Sequence, residues 1–93
     1  MSGAMDRTFD VPAHVVTREM DGELVLLSLE SGNYFGLNEV GARIWQELEN
    51  GASLSDAHNK LMTEFNVDGS VLQADILELI GSLEEAELIE ASG

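Results

Sequence analysis

Residues 22–45 read GELVLLSLESGNYFGLNEVGARIW, and a change of hydrophobic period inside this stretch decides the fold class. Leu24-Val25-Leu26-Leu27-Ser28-Leu29 is apolar on both faces, the pattern of a strand covered on two sides. Ser31-Gly32-Asn33 is a turn signal, and Tyr34-Phe35-Gly36-Leu37 is a short strand after it. From Asn38 the period becomes helical: Val40, Ile44, Trp45 and Leu48 fall on one face. Asn38 is a good N-cap and Glu39 suits the first turn, where an acid meets the positive end of the helix dipole.

Working outward, Val15, Val16 and Thr17 are β-branched and favour a strand over residues 13–20. Asp21-Gly22 fits the positive backbone angles of a tight hairpin. Pro12, the single proline, precedes this strand and interrupts nothing. Downstream, Asn50-Gly51 ends the first helix. Ser53 with Asp56 resembles a capping box, and Leu54, Ala57, Leu61, Met62 and Phe65 stripe a second helix. Residues 66–69 form a loop, and Ser70 with Gln73 is a third cap signature. Leu72, Ile76, Leu79, Ile80 and Leu83 stripe a third helix ending near Ala86, after which Leu88 and Ile89 tuck the tail inward. The fold class is therefore α+β, a three-stranded antiparallel meander followed by three helices. It forms one domain over residues 11–93, behind a flexible N-terminus over 1–10 that begins with Met1 to Ala4. The expected core is Val16, Leu26, Phe35, Ile44, Trp45, Leu48, Leu61, Phe65, Ile76 and Leu83.

Composition narrows the function classes. The chain has 93 residues, with Lys and Arg numbering 4 against 18 Asp and Glu, a formal charge of −14. That balance opposes binding to nucleic acid or an anionic membrane, because phosphate binding is driven by releasing counterions to Lys and Arg. Residues 61–93 hold eight acids and no Lys or Arg, so a helix there would set acids against DNA phosphates. A hydrophobic content of 44% is too high for a disordered acidic tail. No apolar run approaches the ~20 residues of a membrane span, and the N-terminus carries no signal-peptide block, so a cytoplasmic protein is expected.

Chemistry is sparse. Cysteine is absent, which removes disulfides, thiolate catalysis and Cys-type zinc sites. His14 reads as an exposed strand residue and His58 as a helix-edge residue; Leu54 and Met62 at i−4 and i+4 give His58 no metal-binding partner at helical spacing. Neither a nucleophile elbow nor a P-loop nor a GxGxxG occurs. Asp68-Gly69-Ser70-Val71 is a poor imitation of an acyl-carrier serine site, since glycine separates aspartate from serine. Without a nucleophile, metal site or cofactor motif, the chain reads as a binding module and not an enzyme.

The strand Leu24 to Leu29, the turn Glu30-Ser31-Gly32, the junction Tyr34-Phe35-Gly36-Leu37-Asn38 and Gly41-Ala42-Arg43-Ile44-Trp45 together resemble the PqqD-like family. These are the peptide-recognition domains of ribosomally made, modified peptides. Ala74-Asp75-Ile76 and the closing Leu83, Leu88 and Ile89 fit the same pattern, so the likeness spans residues 12–90. The wording is most like the free-standing leader-binding proteins of lasso-peptide clusters. Glu30-Ser31-Gly32 stands where the coenzyme PQQ pathway's own member typically carries Pro-Glu-Gly.

The resemblance implies a winged helix-turn-helix-like fold and a precursor leader peptide as partner. It implies that the leader adds as a strand beside the third strand and is delivered to a leader peptidase or another peptide-modifying enzyme, such as a radical or cyclising one. On this reading the pairing backbone is Asn33, Tyr34, Phe35, Gly36 and Leu37. The groove wall is Leu72, Ile76 and Leu79, and Asp75 with Glu78 meets a leader Lys or Arg. No cofactor and no metal are implied. Outside the family, the alternatives are a winged-helix DNA-binding module and an acyl-carrier-like protein.

Overall fold

The computed structural model describes residues 4–21 and 23–91. A single 3₁₀ turn over Ala4–Asp6 is followed by strands β1 (Phe9–Asp10), β2 (Val15–Met20), β3 (Glu23–Ser28) and β4 (Tyr34–Leu37). Helices α1 (Glu39–Glu49), α2 (Leu54–Glu64) and α3 (Gly69–Glu85) come next, and β5 (Glu90–Ala91) closes the chain. β2, β3 and β4 form the expected antiparallel meander in that spatial order, while β1 and β5 pair separately.

The turns follow from local chemistry. In the β2–β3 hairpin Asp21 takes a φ of 51°; Gly22, its expected companion, lies outside the described residues. The β3–β4 connection is closed by the Ser28 N–H donating to the Asn33 carbonyl (2.9 Å) and the Gly32 N–H donating to the Ser28 carbonyl (2.9 Å). Gly32 sits there at φ 77°, a left-handed conformation that glycine adopts without steric cost.

Each helix starts on a side-chain cap. The Asn38 carboxamide accepts from the Gly41 N–H (2.8 Å) and the Ser53 hydroxyl from the Asp56 N–H (3.1 Å). The third cap is Asp68, not Ser70: its carboxylate accepts the backbone N–H groups of Ser70 and Val71 and also the Ser70 hydroxyl. A carboxylate with several acceptor sites outcompetes a lone hydroxyl, and these bonds hold the Asp68 carboxyl below its ordinary range. α1 and α2 are clamped by Arg43, which donates to both Glu64 oxygens (2.8 and 2.6 Å), to Gln46 and to Glu47. The Glu64 hydrogen bonds, supported by Glu47, raise the Arg43 pKa, and in return the Glu64 carboxyl is lowered.

The core contains the expected Leu26, Ile44, Trp45, Leu48, Leu61, Ile76 and Leu83, and the tail residues Leu88 and Ile89 pack into it as anticipated. Several expectations are corrected. Val15, not Val16, is the buried residue of β2, because pairing opposite Ser28 turns it inward and pairing opposite Leu27 turns Val16 outward. Phe35 and Phe65 are half-buried at the edge of the core. Phe65 caps α2 in an extended conformation instead of continuing its stripe, and Met62 stays 37% exposed. β3 is covered on one face only, since Val25 and Leu27 remain half-exposed outside the packed core. His14 lies in the turn before β2, half-buried and 3.4 Å from the Glu30 carboxylate.

The flexible N-terminus over 1–10 is corrected too. Residues 1–3 lie outside the described residues, but Phe9 is 3% exposed and β1 pairs with β5. Burying one phenyl ring contributes about 1.5–3 kcal/mol, enough to hold a two-residue strand in place. Arg7 adds to this by stacking over Phe9 (4.7 Å to the ring centroid) and pairing with Glu84 (2.8 Å).

Candidate functional site

β4 is an edge strand, and its register with β3 decides which of its backbone groups are open. The Ser28 N–H to Asn33 carbonyl bond makes 28 and 33 a hydrogen-bonded pair. Such pairs alternate along an antiparallel ladder. Phe35 and Leu37, opposite Leu26 and Leu24, therefore turn their N–H and C=O groups toward β3. Tyr34 and Gly36 turn theirs to the open edge. The same rule opens Thr17 and Glu19 on β2, because the Leu29 N–H donates to the His14 carbonyl (2.7 Å) at the other side of β3.

The β4 edge adjoins a groove. A cavity of about 390 Å³ runs between β4, the start of α1 and α3. Phe35, Gly36 and Leu37 line one side, and Leu72, Asp75, Glu78 and Leu79 line the other, as expected from the sequence. Leu37, Ile44 and Leu72, each 1–2% exposed, make an apolar floor. Asp75 and Glu78 are exposed carboxylates on the wall, and no Lys or Arg lines the groove.

Of the remaining sequence-predicted residues, Asn33 and Tyr34 are exposed at the β4 end and do not line the groove. Ile76 is a correction: it is fully buried in the core and faces away from the groove. Leu72, Ile76, Ile80 and Leu83 form the face α3 turns to the core, with half-buried Leu79 at its border with the groove. The stripe beside it, Val71, Asp75, Glu78 and Ser82 at spacings of four, three and four, is the face α3 turns to the groove.

Sequence reasoning also missed Asn38, Val40, Gly41, Ile44 and Val67 as lining residues. Val71 and Val67, 56% and 38% exposed, carried a usable signal: large apolar side chains beside a cap, outside the core stripe. Gly41 keeps the floor low, since a Cβ there would stand 3.3 Å from Asn38 Oδ1 and 3.4 Å from Leu37 Cδ2.

The histidines lie elsewhere in the fold. His58 Nε2 makes a 2.8 Å hydrogen bond with the Gly69 carbonyl and ties α2 to the start of α3. Among the described residues no group of three or more His, Asp or Glu is placed to hold a metal ion. No described helix is long and apolar enough to cross a membrane. The arrangement, an open strand edge beside an apolar trough with an acidic wall, is suited to holding an extended polypeptide.

The sequence profile of coenzyme PQQ synthesis protein D (PqqD) matches residues 23–89. No curated protein matches the chain. Among solved structures, TbiB1 in complex with the TbiA(beta) leader peptide is 36% identical, with 86% of this chain and 93% of that chain covered and a TM-score of 0.78. A lasso peptide synthetase B1 complexed with the leader peptide is 32% identical, with 88% and 96% covered and a TM-score of 0.80.

Proposed function

This chain belongs to the family of coenzyme PQQ synthesis protein D, and from that premise we propose that it is a non-catalytic leader-peptide binding protein of a lasso-peptide pathway. The leader of a precursor peptide adds as a fourth strand at β4, and the loaded protein delivers it to a processing enzyme, a leader peptidase. A cytoplasmic location is part of the same reading.

The observation that carries it is the open β4 edge lying directly beside the groove. Tyr34 and Gly36 offer the main-chain donors and acceptors that strand addition consumes. Paired residues on neighbouring strands point to the same face of a sheet. Leader residues level with Phe35 and Leu37 therefore enter the groove, and those level with Tyr34 and Gly36 point to the opposite face. An apolar leader side chain meets Leu37, Ile44, Leu72 and Val71 there. A Lys or Arg meets Asp75 and Glu78 by a charge-assisted hydrogen bond. The surrounding charge of −14 speeds the encounter with a basic segment and makes it salt-sensitive. The contribution to processing is proximity, a raised local concentration of substrate at an active site on another protein.

The test is amide hydrogen exchange by NMR, with and without a lasso-precursor leader peptide. Saturable binding with new protection at the Tyr34 and Gly36 amides is expected. Binding that leaves both amides unprotected would refute strand addition at β4.

A further inference from the structure

α2 lines no part of the groove, yet it is tied to both of its walls. β4 runs directly into α1, and α1 is joined to α2 by the Arg43 guanidinium on Glu64. On the other side, His58 Nε2 stands 2.8 Å from the Gly69 carbonyl at the start of α3. The partner is a carbonyl oxygen, which only accepts, so Nε2 carries the proton and donates. Among the described residues this is the one hydrogen bond that joins α2 to α3.

Its place decides what it controls. Residues 65–68 connect α2 to α3, and Val67 in that loop and Val71 in the first turn of α3 form one lip of the groove. Both are open to an incoming chain, at 38% and 56% exposure. The Asp68 cap cannot hold the lip in place, because its bonds to Ser70 and Val71 lie within the same turn and move with α3. Packing of Leu72 and Phe65 keeps the helices together, but apolar contact is non-directional and leaves their register free to slide. A hydrogen bond is directional and pins it. The seat is close: His58 and Met62, one turn apart on α2, cover the Gly69 backbone, and a Cβ there would stand 3.5 Å from Met62 Cε and 3.8 Å from His58 Cε1.

We propose that His58 is a positioning residue for the leader groove. Through the Gly69 carbonyl it sets where the lip of Val67 and Val71 stands against β4, and so governs leader affinity without touching the leader. The inference rests on the groove reading above.

The experiment titrates a fluorescein-labelled lasso-precursor leader peptide into four folded variants and wild type. His58→Leu keeps bulk over Gly69 and removes the donor; leader Kd is expected to rise about fivefold, the scale of one net hydrogen bond. His58→Asn, whose amide stops one bond short of the carbonyl, gives the same loss and serves if the leucine variant does not fold. His58→Gln places an amide N–H where Nε2 was and restores affinity to about twofold of wild type or better, since the same hydrogen bond is remade. Ser53→Ala removes the cap at the far end of α2, lowering the melting temperature with leader Kd unchanged. In a Val71→Ser background the loss from His58→Leu is expected to shrink, because the two residues act through one lip.

The proposal is overturned if His58→Leu and His58→Asn keep wild-type Kd, if His58→Gln fails to restore it, if Ser53→Ala loses as much, or if the Val71→Ser background leaves the loss undiminished. Methyl NMR of the free protein reads the lip without a ligand: the Val67 and Val71 resonances shift in His58→Leu and return in His58→Gln. Unmoved resonances overturn the proposal as well. A leader that does not bind wild type shows itself in the first titration and removes the groove reading, while the methyl shifts still decide whether His58 places the lip.

Discussion

Gly36→Pro removes one backbone donor from the open edge of β4. By the alternation set at Ser28 and Asn33, the Gly36 N–H points away from β3, so proline there takes nothing from the sheet's own ladder. Proline is tolerated on an edge strand when its nitrogen faces outward, and thermal unfolding should shift by no more than a few degrees. A guest strand, in contrast, would present a carbonyl to a Cδ methylene. Leaving such a partner unsatisfied costs about 1–3 kcal/mol. That corresponds to roughly 5–150-fold in leader Kd. Fluorescence anisotropy with labelled leader reads the loss, and circular dichroism melts confirm the fold. Thr17→Pro makes the same backbone change at the other open edge, on β2, which does not line the groove beside β4, and leaves Kd unchanged. Wild-type affinity in a folded Gly36→Pro variant, or an equal loss in Thr17→Pro, refutes the placement of the leader.

Asp75→Lys weakens leader binding by about 1 kcal/mol, near fivefold, because the carboxylate is exposed on the groove wall; anisotropy in rising salt should shrink the difference. Val71→Ser and Ile76→Ala separate the two stripes of α3: the first lowers leader affinity with stability within about 0.5 kcal/mol, and the second costs about 2–5 kcal/mol in urea unfolding. Arg43→Met lowers stability by about 1–3 kcal/mol in the same assay, since the clamp between α1 and α2 is lost and Glu47 keeps only Lys60 at 3.9 Å. Asp68 titrates below its ordinary value of 3.8 in the folded chain. Its cap therefore stabilises fully above that value and fades as pH falls below it; melts of Asp68→Ala against wild type should converge on acidification.

Much of the lining of the candidate groove was legible because the family pattern and the local signals agree at the β4–α1 junction. Phe35, Gly36 and Leu37 follow directly from a short strand ended by the Asn38 cap. Asp75, Glu78 and Leu79 follow from their offset to Leu72. Ile76 was misplaced because a helix stripe is about 100° wide, and periodicity does not say which flank faces the core and which a groove. Phe9 and its pairing with Ala91 were invisible for another reason: two-residue strands have no period, and their partner lies at the far end of the chain.

Local chemistry alone determined the order of the three meander strands and the three helices, the positions of the caps at Asn38 and Ser53, and a charge that disfavours phosphate. These depend on neighbours within four residues, which sequence spacing records. The tertiary structure decided the rest: that Val15 and not Val16 turns inward, that Tyr34 and Gly36 hold the open backbone groups, and that one face of β3 stays bare. Each of those is settled by what lies across a strand or a helix, and a linear spacing carries no information about the far side.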